Sequence, residues 1–225
     1  MKMCIVIPVY NEARMIGTIV ETVKSRAWDI VVVNDGSTDG SGAIARSKGA
    51  IVLDHHEKKG KGISLRDGFA YALAQGFDGV LAMDGDGQHH LDDVERFMLK
   101  AQECPHTVIS GNRMLDCQYM PFVRRVVNRM MSLMISALCH QSIPDSQCGF
   151  RFIGASVLKA IELTSSDFEI ETEVLVKASR KGFRIHSVPI QTIYRDESSK
   201  INPFLDTIRF FKYIIKELLA SRSHK

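Results

Sequence analysis

Asp84-Gly85-Asp86 carries the most pointed chemistry in this chain of 225 residues. Carboxylates two residues apart in a loop converge on a hard divalent cation, here Mg²⁺ or Mn²⁺, shared with a phosphate-bearing substrate. The neighbouring glycines leave room for that substrate to approach. Asp and Gly are also turn formers, so the same run reads equally as a solvated turn. Asn34-Asp35-Gly36-Ser37-Thr38-Asp39 is open in the same way: a capped turn, or an Asp fixed as acceptor for the N–H or O–H of a base or ribose. Lys58-Lys59-Gly60-Lys61-Gly62 has the composition of a phosphate cradle without the Walker spacing, and a charge run is commonly a solvated face. His89-His90 has no further His or Cys at zinc spacing, which favours a structural or hydrogen-bonding role.

The elements that must position these residues can be read from apolar runs and breakers. Met3–Pro8 is a branched apolar strand, and Asn11 is placed to cap a helix running towards Arg26. Asp29–Asn34 contains Ile30-Val31-Val32-Val33, as a strand buried on both faces does. A short helix to Gly49, strand Ala50–Leu53, helix Ile63–Gly76, strand Gly79–Met83, helix Asp92–Glu103 and strand Thr107–Ser110 follow. This alternation predicts an α/β fold with a mostly parallel central sheet and helices on both faces. Ligands then gather at the carboxyl ends of the strands, where the polar clusters fall.

The second half changes character. Pro121–His140 reads as a helix with Arg124, Arg125 and Arg129 on a basic side and a methionine-rich apolar side. Strand Phe150–Ile153, helix Phe168–Lys181 and a strand pair over Phe183–Tyr194, interrupted by Pro189, come next. Pro203 then opens an amphipathic helix reaching Leu219. No internal repeat or linker divides the chain, so it parses as one domain, residues 1–225.

Composition excludes several classes. With 45% hydrophobic and 24% charged residues, 16 Gly and 6 Pro, the chain is neither collagen-like nor disordered. A formal net charge of +3 is too small to point to nucleic acid. The apolar run Met130–Cys139 covers about half of the ~20 residues a bilayer crossing needs. Cys4–Val9 is too short for the apolar core of a secretory signal. Five scattered Cys without a Cys-x-x-Cys pair suit a reduced, cytoplasmic protein.

Taken in order, six segments resemble family 2 glycosyltransferases of the GT-A fold, a Rossmann-like architecture. They are Ile5-Val6-Ile7-Pro8-Val9-Tyr10-Asn11-Glu12, Val33-Asn34-Asp35-Gly36-Ser37-Thr38-Asp39, Met83-Asp84-Gly85-Asp86-Gly87-Gln88-His89, Gly111-Asn112-Arg113, Asp145-Ser146-Gln147-Cys148-Gly149-Phe150-Arg151 and Tyr194-Arg195-Asp196-Glu197-Ser198-Ser199-Lys200. Within the family they resemble the polyprenyl-phosphate branch of dolichyl-phosphate mannose synthases and glucosyltransferases. The likeness covers about residues 3–202 and divides the domain into a nucleotide-sugar half, about 1–112, an acceptor half, about 113–202, and a C-terminal amphipathic helix, about 203–221.

The resemblance implies roles. Pro8, Tyr10, Glu12 and Asp35 would hold the base and ribose of the donor; Asp84, Asp86 and Gln88 the divalent metal; Arg195 and Lys200 the donor diphosphate; and Arg113, Arg124 and Asn128 the acceptor phosphate. Asn128 stands where the mannose synthases have Ser. The reaction implied is metal-dependent, inverting transfer of a hexose from a nucleotide-sugar to a polyprenyl phosphate. A lipid monophosphate is already an anion near neutral pH and needs cations to align it rather than a base. A saccharide hydroxyl acceptor would instead require a carboxylate base, for which Asp145 is the candidate. The rival outside catalysis is a protein that only binds nucleotide-sugar. Gln147-Cys148-Gly149-Phe150 looks nearer to glucosyl-type relatives, which puts UDP-glucose ahead of GDP-mannose. The basic, apolar helices at 121–140 and 203–219 either close the core or dock peripherally on the inner membrane face.

Overall fold

The computed structural model describes residues 1–115, 117, 120–193 and 214. Seven strands form one sheet: β1 (Met3–Val9), β2 (Asp29–Asp35), β3 (Ile51–His55), β4 (Gly79–Ala82), β5 (Val108–Asn112), β6 (Arg151–Gly154) and β7 (Ile185–Pro189). The described helices are α1 (Ala13–Ser25), α2 (Ser41–Ser47), α3 (Lys61–Ala74), α4 (Asp93–Glu103), α5 (Phe122–Cys139), α6 (Ala155–Ala160) and α7 (Glu169–Arg180). The strand order is β3-β2-β1-β4-β6-β5-β7, parallel except that β6 runs antiparallel to both β4 and β5.

The continuous apolar runs serve two cores, because alternate side chains point to opposite faces. Val6, Val31 and Val33 pack with Leu65 and Phe69 of α3, Met131 and Ile135 of α5, and Val174 and Leu175 of α7. Ile5, Ile7 and Val32 pack on the other side with Ile16 and Val20 of α1 and Val94 and Phe97 of α4. Gly68 lets α3 lie close against β1, since a Cβ there would come 2.4 Å from Val6 Cγ1.

Three local expectations change. Asn11 does not cap α1: its φ is +56°, and its Oδ1 accepts the Thr38 amide at 2.9 Å. The cap comes from the β2 loop instead, with Asp39 Oδ2 accepting the Ala13 amide at 2.9 Å and Ser41 Oγ the Glu12 amide at 2.8 Å. The strand pair over 183–194 is a single strand, β7, followed by an isolated bridge between Thr192 and His89, while Tyr194 lies outside the described residues. The short α6 directly follows β6, where no breaker announces it. The helix expected over 203–219 also lies outside the described residues, apart from Ile214, which is helical and buried in the α3–α5–α7 core.

Candidate active site

The first three strand-end clusters meet at one edge of the sheet. Pro8, Tyr10 and Glu12, at and beyond the end of β1, are half-buried. Lys58 Nζ stands 4.1 Å from the centre of the Tyr10 ring, a cation–π contact that holds the loop before α3 against the end of β1. Asp35 closes β2 and is nearly inaccessible. Its Oδ1 accepts the Lys59 amide and lies 2.8 Å from His55 Nδ1, and its Oδ2 accepts the Gly60 amide at 2.9 Å. Burial works against ionisation here, but the bonds from His55, Lys59 and Gly60 outweigh it and hold Asp35 below the usual carboxylate range. The far nitrogen of His55 lies 2.9 Å from Asp67 Oδ2 on α3. Asp35 therefore organises the lysine-glycine loop, in addition to any donor contact.

At the end of β4 the two aspartates differ. Asp84 Oδ1 is 2.6 Å from Lys61 Nζ, which also lies 2.6 Å from Glu171 Oε1 on α7. Burial opposes charge on both groups, yet their attraction keeps Asp84 ionised well below its ordinary range and Lys61 protonated above its own. Asp86 is half-buried, and its Oδ1 accepts the Gln88 amide at 2.9 Å. Burial first, then the neighbouring Asp84 charge, pushes the Asp86 carboxyl upward. A carboxylate that is unfavourable to ionise alone is one that a cation stabilises. That observation fits a divalent ion at Asp86 with Gln88 alongside. Among the described residues no three His, Cys, Asp or Glu side chains form a ready-made metal cage; a metal shared with substrate phosphates needs fewer protein ligands.

The residues expected to meet the acceptor are built differently. Arg113, just past β5, makes a two-pronged bridge to Asp145, Nε to Oδ2 at 2.7 Å and Nη2 to Oδ1 at 2.9 Å, with side chains 9% and 0% exposed. The Arg113 and Gln147 amides also donate to that carboxylate. Burial pulls the Asp145 pKa up, but Arg113 and these amides win and lower it. The candidate base is thus the least basic kind of carboxylate, and the candidate phosphate-binding arginine is already paired. Arg124 and Asn128 sit four residues apart on α5, one above the other on one face. Arg124 is half-buried, whereas Asn128 is buried with its Nδ2 lacking a hydrogen-bond partner among the described residues. Arg195 and Lys200 lie outside the described residues.

Sequence reasoning missed Lys61, Glu171, His55 and Asp67. The Lys58–Gly62 run drew attention as a charge run, but the side chain of its last lysine, Lys61, is mostly covered rather than solvated. Glu171 carries no local motif and reaches the site only because α7 packs there. His89 takes the structural role expected of it: it is buried, its ring lies 4.8 Å from that of Phe150, and its Nε2 faces Asp84 Oδ2 at 3.5 Å.

The mostly parallel sheet with its antiparallel β6, flanked by helices, defines the GT-A type of α/β fold. A crystal structure of glucosyl-3-phosphoglycerate synthase from Mycobacterium tuberculosis, with Mn²⁺, UDP and its product, superposes with a TM-score of 0.70 at 16% identity, covering 97% of this chain and 79% of that one. The Glycosyl transferase family 2 model matches residues 4–162, and the chain belongs to that family. The UDP-N-acetylglucosamine–dolichyl-phosphate N-acetylglucosaminyltransferase of Methanococcus voltae is 28% identical over 217 residues, 86% of each chain. The undecaprenyl-phosphate mannosyltransferase of Micrococcus luteus is 29% identical over 208 residues, 87% of this chain and 85% of its own.

Proposed function

We propose that this family 2 glycosyltransferase moves one hexose from a nucleotide-sugar to a polyprenyl phosphate, with inversion, in a metal-dependent step. The observation that carries the lipid-phosphate reading is α5. Arg124 and Asn128, whose Nδ2 has no hydrogen-bond partner among the described residues, share the face of it that also carries Met131 and Ile135, while the opposite face exposes an apolar stripe: Phe122, Val123, Val126, Met130 and Leu133. Phe122 and Leu133 are 68% and 66% exposed, and Arg129 lies exposed among them. Met131 and Ile135 point inward and close the core, and the exposed face is the one this proposal assigns to docking. A cationic, hydrogen-bonding pair on one face of a helix whose other face is apolar and exposed suits a phosphate held inside and a hydrocarbon surface met outside. No described helix is long and apolar enough to cross a membrane, so such contact would be peripheral, and we place it at the inner face. The relatives named for dolichyl and undecaprenyl phosphate support the same acceptor class.

In this proposal Pro8, Tyr10, Glu12 and Asp35 line the base and ribose. Asp84, Asp86 and Gln88 form the metal-facing group, and the metal would supply charge stabilisation to the departing diphosphate. Arg195 and Lys200 would add to that stabilisation. Arg124 and Asn128 hold the acceptor phosphate in line, and the Arg113–Asp145 bridge fixes the loop entering α5. An ionised phosphate attacks without a base, which agrees with Asp145 being spoken for. UDP-glucose stands ahead of GDP-mannose as donor. The test is a panel of UDP- and GDP-sugars against a short polyprenyl phosphate with Mn²⁺, read by product mass. A lipid-linked hexose supports the proposal; transfer only to a saccharide hydroxyl, or donor binding without turnover, overturns it.

A further inference from the structure

His55 stands between two carboxylates. It closes β3 in register with Asp35, the last residue of β2. Its Nδ1 lies 2.8 Å from Asp35 Oδ1, with the two side chains 6% and 3% exposed, and its Nε2 lies 2.9 Å from Asp67 Oδ2 on α3. The loop after β3 is pressed onto the same carboxylate. Gly36 has a φ of +69°, and a Cβ there would come 2.6 Å from the Glu57 carbonyl carbon and 2.7 Å from the Lys58 nitrogen, so a glycine must follow Asp35 for the loop to lie so close. From that position the Lys59 amide donates to Asp35 Oδ1 at 2.8 Å and the Gly60 amide to Oδ2 at 2.9 Å. An ionised carboxylate only accepts, and offers about four positions, two on each oxygen. His55 and Lys59 take both positions on Oδ1, and Gly60 takes one on Oδ2. Among the described residues these are the donors to Asp35, which leaves one position.

We propose that His55 is a specificity-determining residue for the donor: by occupying Oδ1 of Asp35, with Asp67 holding the ring from behind, it leaves that carboxylate a single acceptor position, which fits a uridine nucleotide and disfavours a guanosine nucleotide. This rests on the nucleotide-sugar donor and the base contact of Asp35 proposed above. The chemical reason is the count of donors on each base. Uracil presents one N–H, at N3, between two carbonyl oxygens. Guanine presents N1–H and an N2 amino hydrogen side by side, a pair that matches both oxygens of an open carboxylate. With Oδ1 filled, the second guanine donor would be buried without an acceptor, the kind of loss on which selective hydrogen-bonding sites depend. The preference for UDP then has a cause in side-chain geometry, independent of the residues around Gln147.

The test is calorimetric binding of UDP, GDP and inosine diphosphate to the purified full chain, with Mg²⁺ in every arm. Inosine diphosphate keeps the purine and the N1–H of GDP but lacks its N2 amino group. The wild type is expected to bind UDP at least about tenfold more tightly than GDP, and inosine diphosphate at least about threefold more tightly than GDP. His55→Leu frees Oδ1, and the preference for UDP over GDP should fall at least about fivefold. His55→Asn, whose amide nitrogen can stand where Nδ1 does, should keep that preference within about twofold of wild type. A wild type that binds GDP as tightly as UDP, or inosine diphosphate no more tightly than GDP, overturns the proposal. So does a His55→Leu protein with the wild-type preference, and so does an equal loss of preference in both variants, which would assign the effect to packing of the ring. Should His55→Leu fail to fold by circular dichroism, the inosine diphosphate arm on the wild type decides alone. A wild type that binds none of the three nucleotides contradicts the nucleotide-sugar donor itself, a result distinct from equal binding of UDP and GDP.

Discussion

The proposed donor edge and the proposed acceptor edge of the molecule are both rich in paired charges, but they are paired to different ends. On the donor edge Asp86 keeps capacity for a ligand while its neighbour Asp84 is held by Lys61. On the acceptor edge Arg113 and Asp145 consume each other in a buried two-pronged bridge, and one element later Asn128 Nδ2 has no partner among the described residues. A motif residue is therefore to be judged by what already touches it. A carboxylate or guanidinium already paired has less left to offer a ligand, and a neighbour with a spare lone pair or N–H has more.

The sharpest way to break this contrast is at Asp86. Asp86→Ala should lower transfer by about 10³-fold or more, by loss of charge stabilisation at the leaving group, while the melting temperature stays near wild type. Normal turnover of that variant in chelator-treated buffer would contradict the donor-edge account.

Next in size is Asp145→Asn. Removing one charge of a buried pair strands the other, at a cost of about 3–5 kcal/mol of stability. The pH dependence follows from the lowered Asp145 pKa. A depressed folded-state pKa contributes stability that is complete above the unfolded value of about 3.9 and is lost as pH falls through the folded one. The stability gap between wild type and Asp145→Asn, measured by urea unfolding, should thus be constant from pH 5 to 7 and narrow below about pH 4. A gap that instead closed near neutral pH would mean that Asp145 titrates there, as a general base would.

How much of this was open to a reader of the sequence alone divides along the same line. The strand-end rule placed Asp35, Asp84 and Asp86 correctly, because a βα repeat with uninterrupted valines and isoleucines fixes which end of each strand carries the loops. It could not show that Lys61 turns inward, since that depends on Gly60 and Gly62 lying against the backbone of Ser165 and Ser166, a hundred residues on. Nor could it show that Arg113 and Asp145 are partners, a contact 32 residues apart in sequence made by packing. The antiparallel β6 was invisible for a related reason: strand direction is set by connections, and Phe150–Ile153 is apolar whichever way it runs.

A smaller effect is expected at Arg124. Arg124→Ala should raise the acceptor KM by about 10- to 100-fold, the worth of a charge-assisted phosphate contact at roughly 1.5–3 kcal/mol, and leave the donor KM unchanged. A change confined to the donor KM would move Arg124 to the other edge. Smallest is the apolar stripe. Phe122→Ser together with Leu133→Ser should reduce sedimentation with anionic vesicles several-fold, with wild-type binding fading as salt rises. Equal sedimentation of variant and wild type would remove α5 from the membrane surface.

The claim that joins both edges is that the nucleophile is a phosphate already ionised. Phosphorus NMR of a short polyprenyl phosphate, incubated with the accepted nucleotide-sugar and Mn²⁺, tests it directly. The account predicts that the monoester resonance converts to a diester in the presence of wild type and stays unchanged with Asp86→Ala. An unaltered monoester while the donor's sugar appears on an added saccharide would contradict it.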